Sequence, residues 1–368
     1  MLHLCSWRKI PNFALLRAII MTNDNPIVKQ HRTSLKDLAS ELHVSIATVS
    51  RALHDSHEVS EKVRKKVQQL AKKRNYHPNP FAQSLRKDVP HIIGVVVPNL
   101  VTHYYAAVLD GIEECALQHG FLVFSANSHE SHVREERAVE SFLAMHVDGV
   151  ISCLAQDTTD YSHYEQMEAL DVPLVFFART CLCDRFSQVV ANGDEAACEA
   201  TRHLLATGSR RIAFLGGPNH LDMVKRRKHG YLEALREAKL PIDRSLVVCG
   251  KIEFDEARSK TLDMLRSSNP PDAILAFNDI ITYAAFDAVK SLGLRIPQDV
   301  AIIGFTESDN AAFVTPALSA IMDQAHEQGI AACELLLRRI NGDRKVYKKI
   351  IPMILKIRDS SDKRSGKD

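Results

Sequence analysis

Short apolar runs alternate with amphipathic stretches through the last three quarters of the chain, and this pattern constrains the fold most strongly. A short β-rich run followed by helical periodicity is typical of a strand and helix of a parallel sheet covered on both faces. The runs predict strands at Ile92–Val97, Phe121–Ser125, Gly149–Cys153, Leu174–Phe177, Ile212–Leu215, Ala273–Phe277 and Ala301–Phe305. Helices are predicted at Tyr104–His119, Glu135–Met145, Glu195–Thr207, Lys228–Ala238, Asp255–Arg266, Ile280–Leu292 and Gln324–Ile340.

So many strand–helix units exceed the ~5–6 strands of an average sheet. We therefore expect two Rossmann-like lobes, each with its own parallel sheet. Ligands in such folds bind in the crevice at the carboxyl ends of the strands.

The positive charge is concentrated near the amino end of the chain. Residues 31–88 contain 12 Lys and Arg against 6 Asp and Glu, about +6, whereas the whole chain has a formal charge of +2. This distribution is typical of a domain that binds phosphates, although a solvated basic helix face is the alternative.

The same region has the pattern of a helix-turn-helix. Leu35–Leu42 reads as a short first helix with Ser34 as its N-cap, and Ser45 is placed to cap a second helix, Ile46–Leu53. The bend between them falls at His43 and Val44. Ser60 starts a third helix, which completes an all-α head; a generic three-helix bundle is the alternative.

A second helix with small or polar side chains at its start suits the major groove, where base edges are fully distinguishable. Val49, Ala52 and Leu53 are predicted to face inward, and Arg51 is the candidate for bidentate contact with guanine. The predicted DNA-binding residues of the head are Ser45, Ile46, Ala47, Thr48, Ser50 and Arg51.

The segments VSIATVSRAL, VSEKVRKKV and NYHPNPFAQSLR resemble the head and hinge of the LacI/GalR family of bacterial repressors. The resemblance implies that the hinge folds as a helix on DNA and contacts it through Asn79, Ala82, Leu85 and Arg86. Leu85 would wedge into the minor groove, where an apolar side chain unstacks a base step and bends the duplex. A homodimer on a near-palindromic operator is implied as well. His43 departs from the family pattern, which often has Gly at this turn.

The remainder, to about residue 358, is similar to periplasmic sugar-binding proteins and to the effector domains of the same repressors. VVVPNLVTHYYAAVLDGIEECALQHGF and AILAFNDIITYAAFDAVKSLGLRIPQDVAIIGF carry this resemblance. It implies an effector site formed by Tyr104, Arg227, Phe254 and Asp279. Arg227 could instead begin a solvated helix, and the aromatic residues could belong to the core.

Arg179 is a further candidate effector ligand. It follows Ala178, where many sugar-sensing relatives have Asp, so no particular sugar is carried over. Arg179 would hold an acidic ligand or form an ion pair across the cleft.

Two other classes of function, an enzyme and a solute-binding protein, have two-lobed or doubly wound α/β folds as well. The sequence has no GxGxxG after a strand, no P-loop and no GxSxG, so we expect no enzyme and no cofactor. His129 and His132 resemble a zinc motif, but they are three residues apart rather than four, so no metal site is predicted. A solute-binding protein without gene control is the alternative function, and the basic head argues against it.

The predicted organisation is therefore an all-α helix-turn-helix head followed by a two-lobed α/β domain. The partners are expected to be double-stranded operator DNA, a small-molecule effector such as a sugar or related metabolite, and a second copy of the chain, with no membrane. A cytoplasmic regulator, expected to repress, is the predicted function. The boundaries are an extension at 1–30 that is disordered or a mis-assigned start, the head at 31–77, the hinge at 78–90, the effector-binding and dimerisation domain at 91–358 and a polar tail at 359–368.

Overall fold

In a computed structural model, the structure describes residues 33–53, 58–76, 91–181, 185–307 and 309–363. The chain divides between Val89 and Pro90 into two compact units. The helices are α1 Leu35–Leu42, α2 Ile46–Leu53, α3 Glu61–Lys73, α4 His103–Gln118, α5 His132–Ala144, α6 Ser162–Ala169, α7 Gly193–Ala206, α8 Asp222–Glu237, α9 Phe254–Leu265, α10 Asp279–Ser291 and α11 Ala325–Ile340. The strands are β1 His91–Val97, β2 Phe121–Asn127, β3 Gly149–Ser152, β4 Leu174–Phe177, β5 Ser187–Ala191, β6 Ile212–Gly216, β7 Val247–Cys249, β8 Ala273–Ala276, β9 Ala301–Phe305, β10 Ser319–Met322, β11 Lys348–Ile351 and β12 Ile354–Lys356.

The smaller unit contains the three helices α1, α2 and α3, packed around an aliphatic core. Its buried residues are Leu38, Ala39, Val49, Ala52, Val59, Val67, Leu70 and Ala71. An ion pair between Arg74 and Glu41, with 2.9 Å between Nη2 and Oε2, connects the end of α3 to α1. The all-α head is therefore confirmed.

The larger unit contains two six-stranded sheets. The first has the strand order β11-β5-β4-β3-β1-β2 and is parallel throughout. The second has the order β12-β10-β9-β8-β6-β7, in which only β12 is antiparallel to its neighbour β10. Within each sheet the first five strands follow a doubly wound order, which places a crevice where the order reverses. The two-lobed α/β fold is thus confirmed.

The chain crosses between the lobes three times. It passes from β5 to α7, returns from β10 to α11, and passes again from β11 to β12. As a result, α11 packs with α4 of the first lobe although it follows almost the whole second lobe in sequence. A Cβ on Gly111 of α4 would lie 2.1 Å from the carbonyl oxygen of His326, so only glycine allows the two helix backbones to approach this closely.

The second lobe extends beyond the predicted boundary at residue 358. Ser360 and Ser361 are fully buried, and the hydroxyl of Ser360 donates to Ile302 O at 2.6 Å. Ser319 N donates back to the Ser360 hydroxyl at 2.8 Å. These hydrogen bonds correct the expectation that a polar tail begins at residue 359, because two small hydroxyl side chains satisfy main-chain groups inside the lobe.

Within the part of the chain that the structure describes, every helix is too short or too polar to cross a membrane.

Candidate functional sites

The turn of the head is built by local hydrogen bonds. Ser34 and Asp37 form a capping box at the start of α1, in which Asp37 N donates to Ser34 Oγ and Ser34 N donates to Asp37 Oδ2 at 2.7 Å. His43 then adopts the left-handed conformation, with φ of 55° and ψ of 40°. Ser45 Oγ accepts a hydrogen bond from Thr48 N at 3.0 Å and so caps α2, as predicted.

The start of α2 presents side chains to the outside of the head. Ser45, Ile46, Ala47 and Arg51 are exposed, with Ile46 49% accessible. Thr48 is half-buried, and its hydroxyl lies 2.8 Å from that of Ser45. The predicted DNA-binding positions of the head are therefore all at least partly exposed around the start of α2, apart from Ser50.

Contact with DNA requires Ser50 to face outward, and this expectation is wrong because the residue is only 9% exposed. Residues three apart in an α-helix are only about 60° apart around its axis. Ser50 therefore lies near Leu53, at the border of the apolar face of α2.

Arg51 has an acidic neighbour inside the head. Its Nε lies 3.0 Å from Oε2 of Glu58, and both side chains are about half exposed. This ion pair competes with any partner that the guanidinium group meets outside the protein. The hinge candidates Asn79, Ala82, Leu85 and Arg86 lie outside the described residues.

A cavity of about 700 Å³, including the part open to solvent, separates the two lobes of the larger unit. Most of its lining follows directly after strands, as Asn99 does after β1, Arg179 after β4 and Asp279 after β8. The complete lining is Asn99, Thr102, Tyr104, Tyr105, Glu130, Ala178, Arg179, Met223, Arg227, Ile252, Phe277, Asn278, Asp279, Ile280, Phe305, Glu307 and Asp323.

Arg227 is the central cation of the cavity wall and is only 2% exposed. Its Nη2 donates to both carboxylate oxygens of Asp323, at 2.9 and 3.2 Å, and Nη1 donates to Phe277 O. The guanidinium carbon lies 3.8 Å from the ring centroid of Phe305. Helix α8 begins at Asp222, six residues before the predicted Lys228, so Arg227 lies in its second turn and faces the cleft instead of starting a solvated helix.

Arg179 is also buried, and its ion pair lies within its own lobe. Its two Nη atoms donate to the two carboxylate oxygens of Glu130, at 2.5 and 3.0 Å, and Nη1 also donates to Leu154 O at 3.2 Å. Both residues belong to the first lobe, so the predicted alternative of a pair across the cleft is wrong. A carboxylate already occupies the face of Arg179 that an acidic ligand would need.

Asp279 begins helix α10, which Asn278 caps by accepting a hydrogen bond from Ile281 N at 3.0 Å. The hydroxyl of Thr306 donates to the Asp279 carboxylate. Burial raises the pKa of Asp279, and it likewise raises the pKa of Glu307. Glu307 accepts from Asp323 N at 2.6 Å and from Ala325 N at 3.3 Å.

Tyr104 lines the cavity at the start of α4, and its hydroxyl donates to Gln328 Oε1 at 2.8 Å. Burial raises the pKa of Tyr104 well above its ordinary value, so the phenol remains neutral. Phe254, the remaining candidate, does not line the cavity: it is 42% exposed at the start of α9, and Ile252 takes that part of the wall.

Sequence reasoning missed several lining residues. Glu307 and Phe305 could have been found because they stand at the end of the predicted strand Ala301–Phe305, and Phe277 ends another. Asp323 had no such signal, since it follows β10, whose four residues do not stand out as an apolar run. Glu130 lay within the segment that resembles a zinc motif.

Comparisons with known proteins agree with this geometry. Residues 34–79 match the family of bacterial regulatory proteins of the lacI type, and residues 201–361 match a periplasmic binding protein-like domain. The chain is 30% identical over 304 residues to the ribose operon repressor of Bacillus subtilis (strain 168), covering 83% of this chain and 90% of that protein. It is 29% identical over 313 residues to catabolite control protein A of Priestia megaterium, covering 84% and 92%.

Solved structures show the same likeness. The Lac repressor dimer bound to operator and the anti-inducer ONPF has a TM-score of 0.75 at 25% identity, covering 90% of this chain and 99% of that chain. The complex of the transcriptional regulator CelR with cellobiose has a TM-score of 0.69 at 27% identity, covering 89% and 100%. With its helix-turn-helix head, its two-lobed ligand cleft and these relatives, the chain belongs to the LacI family of bacterial regulatory proteins.

Proposed function

We propose that the protein is a transcriptional regulator that represses its genes by binding a near-palindromic operator as a dimer, and that a small molecule in the cleft controls this binding. The observation that carries the proposal is the exposed start of α2 on a head that matches the family. Ser45, Ile46, Ala47 and Arg51 are exposed together there, and such a helix end fits the major groove. An Arg that contacts guanine in two places would provide the sharpest base preference.

The hinge would add minor-groove contacts through Asn79, Ala82, Leu85 and Arg86, as the resemblance implies. A protein with this task works where the DNA is, so we place it in the cytoplasm. It acts by binding, and we assign no catalytic residue.

The charge of the cavity favours a neutral, hydroxyl-rich effector such as a sugar or a nucleoside. Four carboxyl groups line the cavity against two guanidinium groups, and each guanidinium is already paired with a carboxylate. Asp279 and Glu307 therefore remain to accept hydrogen bonds from hydroxyl groups, while the rings of Tyr104 and Phe277 offer apolar faces. The excess of carboxylates would repel an anionic effector. Cellobiose in the CelR complex is a ligand of the proposed class.

Dimerisation is supported by an apolar edge on the first lobe. Leu122 and Phe124 of the edge strand β2 are 48% and 39% exposed, and Leu117 near the end of α4 is 74% exposed. Exposed apolar patches often mark protein–protein contacts. The Lac repressor structure similar to this chain is described as a dimer on its operator.

Selection of bound duplexes from fragmented genomic DNA tests the proposal, with the full chain and with or without a panel of sugars and nucleosides. We expect enrichment of a near-palindromic site, and at least one compound of the panel should change its occupancy. The Arg51→Ala variant should relax one base-pair preference in each half-site, at a cost of about 1–3 kcal/mol. Recovery of no preferred sequence under any condition would refute gene control and leave a protein that only binds a solute.

The effector site is tested separately by calorimetric titration of the compound that the selection identifies. Asp279→Asn replaces a lining carboxylate with a neutral group of the same shape and should weaken binding at least tenfold. The matched control is Asp287→Asn, since Asp287 lies in the same helix α10 but forms an exposed ion pair with Arg258. Equal affinity in Asp279→Asn and the control would place the effector elsewhere.

A further inference from the structure

A cluster of two histidines and a glutamate lies in the first lobe, and none of the three residues lines the cleft. It is adjacent to that lining, because Glu135 accepts from Ala155 N and the preceding Leu154 O accepts from Arg179. His132 and Glu135 are three residues apart in the first turn of α5 and therefore lie on the same face of the helix. His163, at the start of α6, approaches them from a different element. The nitrogen and oxygen atoms that these three residues can offer to a metal all lie within 4.8 Å of one another.

The cluster is built into the lobe. Glu135 is fully buried and His163 is only 3% exposed, whereas His132 is half-buried and provides a route from solvent. His129, whose spacing to His132 attracts attention in the sequence, is exposed and does not belong to the cluster.

Two ring nitrogens of the cluster lack hydrogen-bond partners. Nδ1 of His132 and Nδ1 of His163 are both buried, and no protein atom bonds to either. His163 Nε2 lies 3.0 Å from Glu135 Oε1, close to the separation of two ligand atoms on one metal ion, so Nε2 is the atom that His163 offers to an ion shared with Glu135. A buried polar atom without a partner, such as Nδ1 of His132, calls for an explanation.

Glu135 is surrounded by donors. Its carboxylate accepts hydrogen bonds from Ala155 N, from the Thr158 hydroxyl at 3.1 Å and from His163, and the Tyr164 hydroxyl also interacts with it. A metal ion would take the place of the proton that His163 Nε2 shares with this carboxylate, so binding would release a proton and would need no additional site on Glu135.

We propose that His132, Glu135 and His163 bind a divalent transition metal ion such as Zn²⁺. Two imidazole nitrogens and one carboxylate oxygen suit ions of this borderline class, and three protein ligands leave the fourth position for water. Bonds of about 2.1 Å to a tetrahedral ion require ligand atoms about 3.4 Å apart. The ligand atoms lie within 4.8 Å of one another, so the half-buried His132 would move toward the other two residues as the ion binds.

Metal titration of the tag-free full chain, after treatment with a chelator, tests this site. Zn²⁺ binding is measured by calorimetry, and Co²⁺ is used as a coloured substitute whose visible absorption reports nitrogen and oxygen ligands. Because the chain contains 17 histidines, the comparison of variants decides the outcome, not total uptake. We expect one tight site per chain, which weakens as the pH falls and the imidazoles become protonated.

His132→Ala and Glu135→Gln should each lower the affinity tenfold or more, and His129→Ala should leave it unchanged. His132→Ala is the primary variant because it removes a half-buried side chain, and circular dichroism confirms its fold even if Glu135→Gln does not fold. Equal tight binding in His132→Ala and wild type overturns the proposal. Failure of the wild type to take up a stoichiometric ion overturns it too and leaves the cluster as a hydrogen-bonding network.

Discussion

Removal of the carboxylate of Asp323 should destabilise the larger unit through Arg227. The guanidinium is 2% exposed and forms two hydrogen bonds with Asp323, so Asp323→Ala leaves a buried charge without its counterion. Breaking a buried pair in this way costs about 3–5 kcal/mol. Arg227 retains its hydrogen bond to Phe277 O and its contact with Phe305, so we expect the lower end, about 3 kcal/mol. For a unit of this size the melting temperature should fall by about 5–10 °C.

Scanning calorimetry of the full chain measures this effect on the transition of the larger unit. The double variant Arg227→Met with Asp323→Ala removes both charges and should recover part of the loss, because an uncharged side chain no longer needs a counterion. Glu237→Gln is the matched control, since its pair with Arg202 is exposed to solvent and should leave the transition unchanged. If the double variant melts below the single variant Asp323→Ala, the unpaired charge is not the cause and the reasoning is refuted.

Four further outcomes are expected. Glu58→Gln should raise the affinity for DNA because it releases Arg51 from its ion pair. Glu61→Gln, which breaks the pair with Lys65, is the control, and filter binding at fixed salt measures the affinity of both variants. No gain in affinity from Glu58→Gln would contradict the competition between Glu58 and DNA for Arg51. His43→Gly should stabilise the head by about 0.5–1 kcal/mol in urea unfolding, because φ of 55° is strained for His, whereas His43→Ala should give no gain. Burial raises the folded-state pKa of Asp279, so its contribution to stability is present at pH values below the unfolded pKa and is lost as the pH rises through the folded pKa. The melting temperature of Asp279→Asn should therefore increase relative to that of wild type as the pH rises through this range. A constant difference between the two melting temperatures at every pH would contradict this. Leu85→Ala should weaken binding to the operator far more than to random duplex, and equal losses would remove the wedge.

The sequence predicts an element when the element's own residues determine its conformation, and it misses an element whose conformation depends on distant partners. All seven predicted strands are present within two residues of their predicted ends, because each is an apolar, β-rich run that carries its own signal; six of them are buried, and β2 is an exposed edge strand. The strands that escaped prediction, such as Lys348–Ile351 with its pattern of two lysines and two isoleucines, lie at or near the sheet margins. Their pairing partners, which are distant in sequence, determine that they are extended.

The same distinction applies to the cleft. Positions beside predicted strands and the family pattern predict Tyr104, Arg179, Arg227 and Asp279, and all four line the cavity. Phe254 does not, because the chain turns it outward at the start of α9. The partner of each arginine depends on the tertiary structure and cannot be read from the periodicity of the sequence. Glu130 is 49 residues from Arg179, and Asp323 is 96 residues from Arg227.

The third crossing of the chain between the lobes gives the last stretch of the sequence an importance that its length does not suggest. Lys348–Ile351 completes the margin of one sheet, and only two residues later Ile354–Lys356 completes the margin of the other. Ser360 and Ser361 then form hydrogen bonds with Ser319 inside the second lobe. A premature stop codon near residue 345 would therefore damage both halves of the sensor at once, while the gene still encoded an intact head.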